Sequence, residues 1–169
     1  MQSNPATIYA NDVLSGKIPA CKYVKEACNR YLSDLKNFDF DLEEAEGAVN
    51  FMQQFKHTKG DLAGEFFHLE PWEVFIIYNI FGFKVNGKRR FRRAYVEIPR
   101  KNGKTFLGAA VALYCFMADG EAGAEVYTAA TKLDQAAICF EQGYNMLEPF
   151  NTMHGFEMVM NNSFNNRRV

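Results

Sequence analysis

The order of elements between Arg93 and Met117 constrains the fold more than any other feature of this sequence. Residues 93–98 are predicted to form a strand that ends at Pro99. After a short polar loop, residues 104–117 carry small and apolar side chains on nearly every side, which is typical of a buried helix. A strand, a short loop and a buried helix in this order favour an α/β fold with a parallel sheet.

A second strand and helix are predicted to follow. Residues 125–129 are a short strand, and Thr131 caps a helix, with Asp134 three residues later. This helix is expected to stop before Pro149. Residues 156–160 fit one further strand. The pattern is a βαβα unit, with fewer parallel strands than a stable sheet usually has.

The first half of the chain is predicted to be helical. The first fifteen residues lack periodicity and are expected to form an arm. Pro19 opens a first helix, Asp41 begins a second, and the third spans Pro71–Gly82. Between the last two, residues 56–65 form a loop rich in glycine and charge.

A phosphate-binding motif occupies the predicted strand-to-helix turn. Gly103 lets the backbone wrap closely around phosphates, and the amides of a helix N-terminus point at the anion. In such a P-loop (Walker A) motif, Lys104 reaches the β- and γ-phosphates and the Thr105 hydroxyl holds Mg²⁺. The full pattern has another glycine where Ile98 stands, so the motif is a variant. The predicted nucleotide-binding residues are Arg100, Lys101, Asn102, Gly103, Lys104 and Thr105. The alternative is a lysine-rich connecting loop whose glycine only eases the turn.

Hydrolysis requires two further carboxylates, one for the metal and one for the attacking water, at the end of a neighbouring strand. Asp119 follows the predicted buried helix and is interpreted as turn chemistry. Glu157 lies at the wrong end of a predicted strand. The sequence therefore predicts a chain that holds a nucleotide and lacks the parts to cleave it efficiently.

Charge is distributed unevenly. Residues 84–104 contain nine basic side chains and one acid, Glu97, although the net charge of the chain is −1. Such a cluster either stays in water or meets an anion. The pattern fits nucleic-acid or phosphate binding, and it equally fits a strand edge that charge protects from aggregation. The candidate DNA or anion surface comprises Lys88, Arg89, Arg90, Arg92 and Arg93.

Composition argues against several classes of protein. Apolar residues make up 48% and charged residues 23% of the chain, as in globular proteins. No apolar stretch approaches the ~20 residues that cross a bilayer, and the polar N-terminus does not resemble a signal peptide. The four cysteines show no metal-binding spacing. We expect neither a membrane-spanning nor a disulfide-scaffolded protein.

Several segments together resemble the large terminase subunit of tailed bacteriophages. The segments that carry the resemblance are residues 95–105, 118–131 and 134–136, with 16–21, 27–31, 69–72 and 81–82 resembling that family's N-terminal helical part. In such proteins an ATPase domain drives viral DNA into a capsid, and a nuclease domain cuts the DNA. The resemblance implies ATP and Mg²⁺ as cofactors. It implies double-stranded viral DNA, the small terminase subunit, the portal protein and further copies of the chain as partners. The implied location is the cytoplasm of a bacterial host.

The resemblance also implies roles for individual residues. The family's variant P-loop matches Arg100 to Thr105, so Lys104 and Thr105 would bind phosphate and Mg²⁺. Arg100 would contact a phosphate or the transition state. Trp72 and Glu73 match the adenine-side segment, where the family normally has Gln after the Trp. An ionised Glu only accepts hydrogen bonds, so Glu73 departs from the pattern.

We therefore expect two parts: an N-terminal helical segment, residues 1–82, and part of a P-loop ATPase domain, residues 83–169. The dipeptide Asn86-Gly87 predicts a tight hairpin just after this boundary. The acidic catalytic strand and the nuclease domain have no counterpart. We expect the N-terminal piece of a longer enzyme, either a deliberately shortened chain or a natural truncation such as a prophage remnant.

Two other functions fit the same sequence. The chain could be a non-enzymatic module that binds DNA or a partner through residues 84–93. It could also be an inactive remnant that dimerises through an exposed sheet edge.

Overall fold

The computed structural model describes residues 4–154, 161–163 and 166–168. Its α-helices are α1 (Pro5–Leu14), α2 (Lys22–Asn37), α3 (Leu42–Met52), α4 (Pro71–Ile77), α5 (Lys104–Met117) and α6 (Leu133–His154), and a π-helical segment, Tyr78–Gly82, continues α4. Its strands are β1 (Asp39–Phe40), β2 (Phe83–Val85), β3 (Lys88–Arg89), β4 (Asn161–Ser163) and β5 (Asn166–Arg168). The first unit holds the residues up to Gln53 with His68–Asn102, and the second holds Gln54–Phe67 with the residues from Gly103 onward.

The core of the first unit is built from aromatic rings. Tyr31 of α2 is fully buried, with its ring 5.3 Å from that of Phe75 and 5.6 Å from that of Phe83. Tyr9 of α1 packs 5.2 Å from Phe75 on the other side. Edge-to-face and tilted contacts of this kind stabilise a core beyond the area that they bury.

The expected N-terminal arm is wrong over residues 5–14, because these residues form α1. The Asn4 side chain accepts a hydrogen bond from the Thr7 amide at 2.8 Å, and Pro5 occupies the first helical turn. An asparagine cap followed by proline is a signal for the start of a helix. This signal was overlooked because the apolar residues of the segment show no helical periodicity.

The other predicted helices of this unit are confirmed, with one change of boundary. The helix expected from Pro19 begins at Lys22, after Cys21 in extended backbone. The side chain of Asp41 accepts from the Glu44 amide at 2.9 Å and caps α3. The third helix ends at Gly82 as expected, through its π-helical turn.

The predicted tight hairpin is also confirmed. β2 and β3 are joined by Asn86 and Gly87, whose φ angles are 51° and 72°. These strands and β1 form a sheet in the order β1-β2-β3, and both pairings are antiparallel. β4 and β5 pair antiparallel as well. The described part of the chain is thus a mixed helix and strand structure in which a parallel sheet is not seen.

The second unit is organised by α5 and α6, and α5 has the predicted bounds. A Cβ added at Gly143 would lie 3.9 Å from Ala109 and Leu113, so the two helices pack closely there. Residues 54–67 form a hairpin-like turn, which we call the 54–67 hairpin. It is held by a bridge between Lys56 and Phe66.

Two predicted strands are wrong. Residues 93–98 and 125–129 lie outside any β-ladder among the described residues. A strand forms only when the backbone of a neighbouring segment pairs with it. The sequence pattern indicates apolar character, but it does not indicate whether such a partner lies alongside. The strand predicted at 156–160 lies outside the described residues.

The predicted ends of the last helix are also corrected. α6 begins at Leu133, and the Gln135 and Ala136 amides both bond to the Lys132 carbonyl, so Thr131 is not the cap. At the other end Pro149 lies inside the helix. A proline alone favours the end of a helix. Here the ring of Phe150 packs 5.1 Å from that of Phe55, and this contact stabilises the helical turn that contains Pro149.

Candidate functional site

The N-terminus of α5 is the part of the predicted phosphate loop that lies in the second unit. Gly103 precedes the helix in the left-handed conformation, with φ 70° and ψ −3°, and its carbonyl accepts from the Leu107 amide at 3.0 Å. No side chain caps this end, and the first turn contains no acidic residue. An uncapped helix start presents amide donors and the positive end of the helix dipole, which suits an anion.

The side chains of this turn divide into an exposed and a buried set. Lys104 is exposed and Thr105 is half-buried, whereas Phe106 and Leu107 are buried. The turn is therefore anchored by apolar packing, and its ammonium and hydroxyl groups lie at the solvent edge. This donor set fits a phosphate group with a hydroxyl-bound cation.

The preceding half of the loop lies in the first unit. Arg100, Lys101 and Asn102 are exposed. Lys101 has a φ of 66°, a conformation that costs a side-chain-bearing residue energy. The side-chain Nδ2 atom of Asn102 donates to the Pro99 and Arg100 carbonyls at 3.4 and 3.2 Å, which fixes a local turn.

The predicted adenine-side residues lie at the start of α4. Trp72 is half-buried and Glu73 is buried. The Glu73 Oε2 atom accepts from the Glu70 amide at 2.8 Å, so the carboxylate caps its own helix. Burial raises the pKa of this carboxyl, the hydrogen bond from Glu70 opposes that rise, and the nearby Glu70 charge adds to it.

The predicted basic surface contains two kinds of residue. Arg90 pairs with the buried carboxylate of Asp34, and its guanidinium carbon lies 3.9 Å from the centroid of the Phe38 ring. The guanidinium carbon of Arg89 lies 5.3 Å from the centroid of Phe81. Arginines held in this way contribute to the fold as well as to surface charge.

The rest of this surface is exposed to solvent. Lys88, Arg92 and Arg93 are exposed. A shallow cavity of about 410 Å³ lies beside them. The cavity is lined by Val85, Asn86, Lys88, Arg89, Arg90 and Arg92. Four of these six residues are cationic, so the chemistry of the groove suits an anion.

The residues considered for hydrolysis do not assemble into a metal centre in the described part of the chain. Asp119 lies two residues after the end of α5, and its backbone amide donates to the Tyr114 carbonyl at 3.1 Å, so the residue belongs to the turn that ends the helix. Glu157 lies outside the described residues. No group of three or more His, Cys, Asp or Glu side chains that could hold a metal occurs among the residues that the structure describes.

The contact of the 54–67 hairpin with α5 was not anticipated from the sequence. The His57 ring lies 5.3 Å from that of Phe106, which follows Thr105, and 5.3 Å from that of Phe67. The segment was interpreted only as a loop. Aromatic residues on both sides of its glycines, Phe55 and His57 before them and Phe66 and Phe67 after them, were the available signal for a hairpin.

A left-handed glycine, a helix start without a side-chain cap and a following Lys-Thr pair are features of phosphate-binding loops. A comparison with known families matches residues 71–168 to the family "Terminase large subunit, ATPase domain". The match covers more than half of the chain, which therefore belongs to this family, and it confirms the resemblance drawn from residues 95–105 and 118–131. Searches of curated proteins and of solved structures each gave no match. In the part that the structure describes, no helix is long and apolar enough to cross a membrane.

Proposed function

We propose that the first turn of α5 binds the phosphates of Mg²⁺-ATP in the ATPase domain of a DNA-packaging motor. The observation that carries the proposal is the uncapped start of α5 after left-handed Gly103, with Lys104 as its first residue. Membership of the terminase ATPase family supports the same ligand.

Each loop residue has a proposed role. The Lys104 ammonium neutralises charge on the β- and γ-phosphates, and the Thr105 hydroxyl holds Mg²⁺. Arg100 contacts a phosphate or the transition state, while Lys101 and Asn102 shape the loop that precedes the helix. Bound Mg²⁺ supplies charge neutralisation between the phosphate oxygens.

The wider assignments follow from the family. Residues 83–169 form part of a P-loop ATPase domain, which follows an N-terminal helical segment, residues 1–82, in the sequence. Trp72 lies on the adenine side, with Glu73 beside it as a helix cap. The proposed partners are double-stranded viral DNA, the small terminase subunit, the portal protein and further copies of the chain, in the cytoplasm of a bacterial host.

A titration of Mg²⁺-ATP against the wild type and Lys104→Ala tests the proposal. Loss of a charge-assisted contact is expected to weaken binding by at least about 10-fold. Lys59→Ala is the matched control, because Lys59 is an exposed lysine of the same unit outside the loop. Equal affinities of the wild type and Lys104→Ala would remove the assignment.

A second candidate function is polyanion binding by the basic surface, which the exposure of Lys88, Arg92 and Arg93 favours. Binding to duplex DNA would fall steeply as salt rises, with a logarithmic slope set by the number of phosphate contacts. Replacing Arg92 and Arg93 by alanine should reduce that slope by about two. An unchanged salt slope after this replacement would contradict the second candidate.

A further inference from the structure

Three aromatic rings connect the 54–67 hairpin to the first turn of α5. Phe67 and Phe106 are 6% and 9% exposed, and their ring centroids lie 4.0 Å apart. The half-buried ring of His57 lies 5.3 Å from each of them. All three residues belong to the second unit, so the cluster lies within one compact unit of the structure.

The hairpin that carries His57 is itself firmly held. The His57 amide donates to the Glu65 carbonyl at 2.9 Å, and its carbonyl accepts from the Gly64 amide at 2.8 Å. The neighbouring Thr58 hydroxyl accepts from Gln142 of α6 at 3.2 Å. Both backbone groups of His57 are therefore bonded to the opposite side of the hairpin, and its ring is presented to α5 from a firm support.

Phe106 occupies the third position of α5, immediately after Lys104 and Thr105. Its backbone amide is one of the first-turn donors that have no partner within a helix. Because the His57 ring packs against Phe106, it also restrains the backbone of the first turn of α5, whose amides are the candidate donors to phosphate. Gly103, which lacks a side chain, gives the other end of this turn no such support.

We propose that His57 is a positioning residue that holds the first turn of α5 in the geometry required to bind phosphate. The inference rests on the proposed function of that turn. His57 acts through Phe106 by packing, and it takes no part in contacts to the nucleotide. Its effect comes from pre-organisation: a turn already fixed before binding loses less conformational freedom when the anion arrives.

Four variants and two measurements test this role. The variants are His57→Ala, His57→Phe, His57→Gln and Thr58→Ala. The measurements are the affinity for Mg²⁺-ATP by calorimetry and the midpoint of thermal unfolding. Thr58→Ala is the matched control, because it removes the hairpin contact to α6 and leaves the ring contact to α5 in place.

Loss of one aromatic contact is expected to weaken Mg²⁺-ATP binding by about threefold to tenfold in His57→Ala. The unfolding midpoint should fall no further than in Thr58→Ala. His57→Phe retains a ring and should restore affinity to within about twofold of the wild type, whereas His57→Gln should behave like His57→Ala. Should His57→Ala fail to fold, the comparison of His57→Phe with His57→Gln carries the test.

Three results would overturn the role of His57: unchanged affinity in His57→Ala, restoration by Gln with failure of Phe, or an equal loss in Thr58→Ala. The first of these, combined with a loss in Lys104→Ala, rejects the positioning role alone and leaves the proposed function standing. A wild-type protein that does not bind Mg²⁺-ATP rejects the proposed function and the positioning role with it.

Discussion

The carboxylate of Asp34 in α2 accepts a hydrogen bond from the guanidinium of Arg90, the residue that follows β3. The same carboxylate oxygen lies 3.8 Å from Nε of Arg30. Asp34 is 5% exposed, so the contact is well shielded from solvent. The pair connects the β2–β3 hairpin to α2. Arg90, one of the arginines of the basic surface, therefore stabilises the fold.

We predict that Asp34→Ala lowers the free energy of unfolding by about 2–3 kcal/mol, because it leaves a partly buried guanidinium unpaired. Urea denaturation measures the change. The matched control is Asp12→Ala, which breaks the exposed 2.9 Å pair with Lys17 and should cost less than about 1 kcal/mol. Similar losses in the two variants would contradict the structural role of Asp34.

We predict opposite effects for two glycine substitutions. Gly87→Ala should destabilise the protein by about 1 kcal/mol, because the hairpin turn requires a φ of 72° at this position. Gly47→Ala should stabilise it by up to about 1 kcal/mol, because Gly47 lies inside α3 with open space where a Cβ would project. Thermal unfolding of both variants checks the signs, and a shared sign would be inconsistent with the assigned backbone.

We predict that Asn4→Ala destabilises the first unit by about 1–2 kcal/mol, since it removes the cap of α1. The same Oδ1 atom accepts from the Tyr31 hydroxyl at 3.1 Å, so the loss also affects the buried contact of α1 with α2. Circular dichroism during urea denaturation measures the change. The control Asn50→Ala, at an exposed site in α3, should change stability by less than about 0.5 kcal/mol.

We predict that the stability of Glu73→Gln relative to the wild type increases as the pH rises. Burial raises the pKa of Glu73 above its ordinary value of 4.5, so the folded state binds the proton more tightly than the unfolded state does. Ionisation therefore costs stability above the folded-state pKa, and this cost is absent below about pH 4.5. Gln keeps an oxygen that can accept from the Glu70 amide and carries no charge.

Urea denaturation of both proteins from pH 4 to pH 8 checks this dependence on Glu73. The predicted result is a difference in unfolding free energy that grows in favour of Gln as the pH rises from about 4.5 to the folded-state pKa of Glu73, and stays constant above that pKa. A difference that is constant with pH would show that Glu73 titrates alike in the folded and unfolded states.

Local signals predicted those elements whose stabilising contacts are also local. α5 was predicted with correct bounds because a glycine precedes it and apolar residues surround it, and the hairpin because Asn86 and Gly87 accept positive φ. The sequence wrongly predicted strands at 93–98 and 125–129, because the pairing that makes a strand depends on distant partners. Pro149 was misinterpreted for the same reason, since the contact between Phe150 and Phe55 joins distant parts of the sequence.

The candidate site divides in the same way. Gly103, Lys104 and Thr105 form a contiguous motif with a known physical purpose, so the sequence alone predicts a phosphate-binding loop there, and its binding of phosphate stays a prediction. The sequence did not predict that the ring of His57 contacts that of Phe106, nor that Arg90 forms an ion pair with Asp34. Both contacts join residues far apart in the chain, and no local pattern encodes them.

Amide hydrogen exchange of the protein with and without Mg²⁺-ATP tests the central claim most directly. Amides at an uncapped helix start exchange rapidly in the free protein, since they have no intrahelical acceptor. The predicted result is that saturating Mg²⁺-ATP slows exchange at Lys104, Thr105 and Phe106 by at least about threefold and leaves the C-terminal half of α5 unchanged. Unchanged exchange in this turn at saturation, or slowing confined to residues 88–93, would contradict phosphate binding at the start of α5.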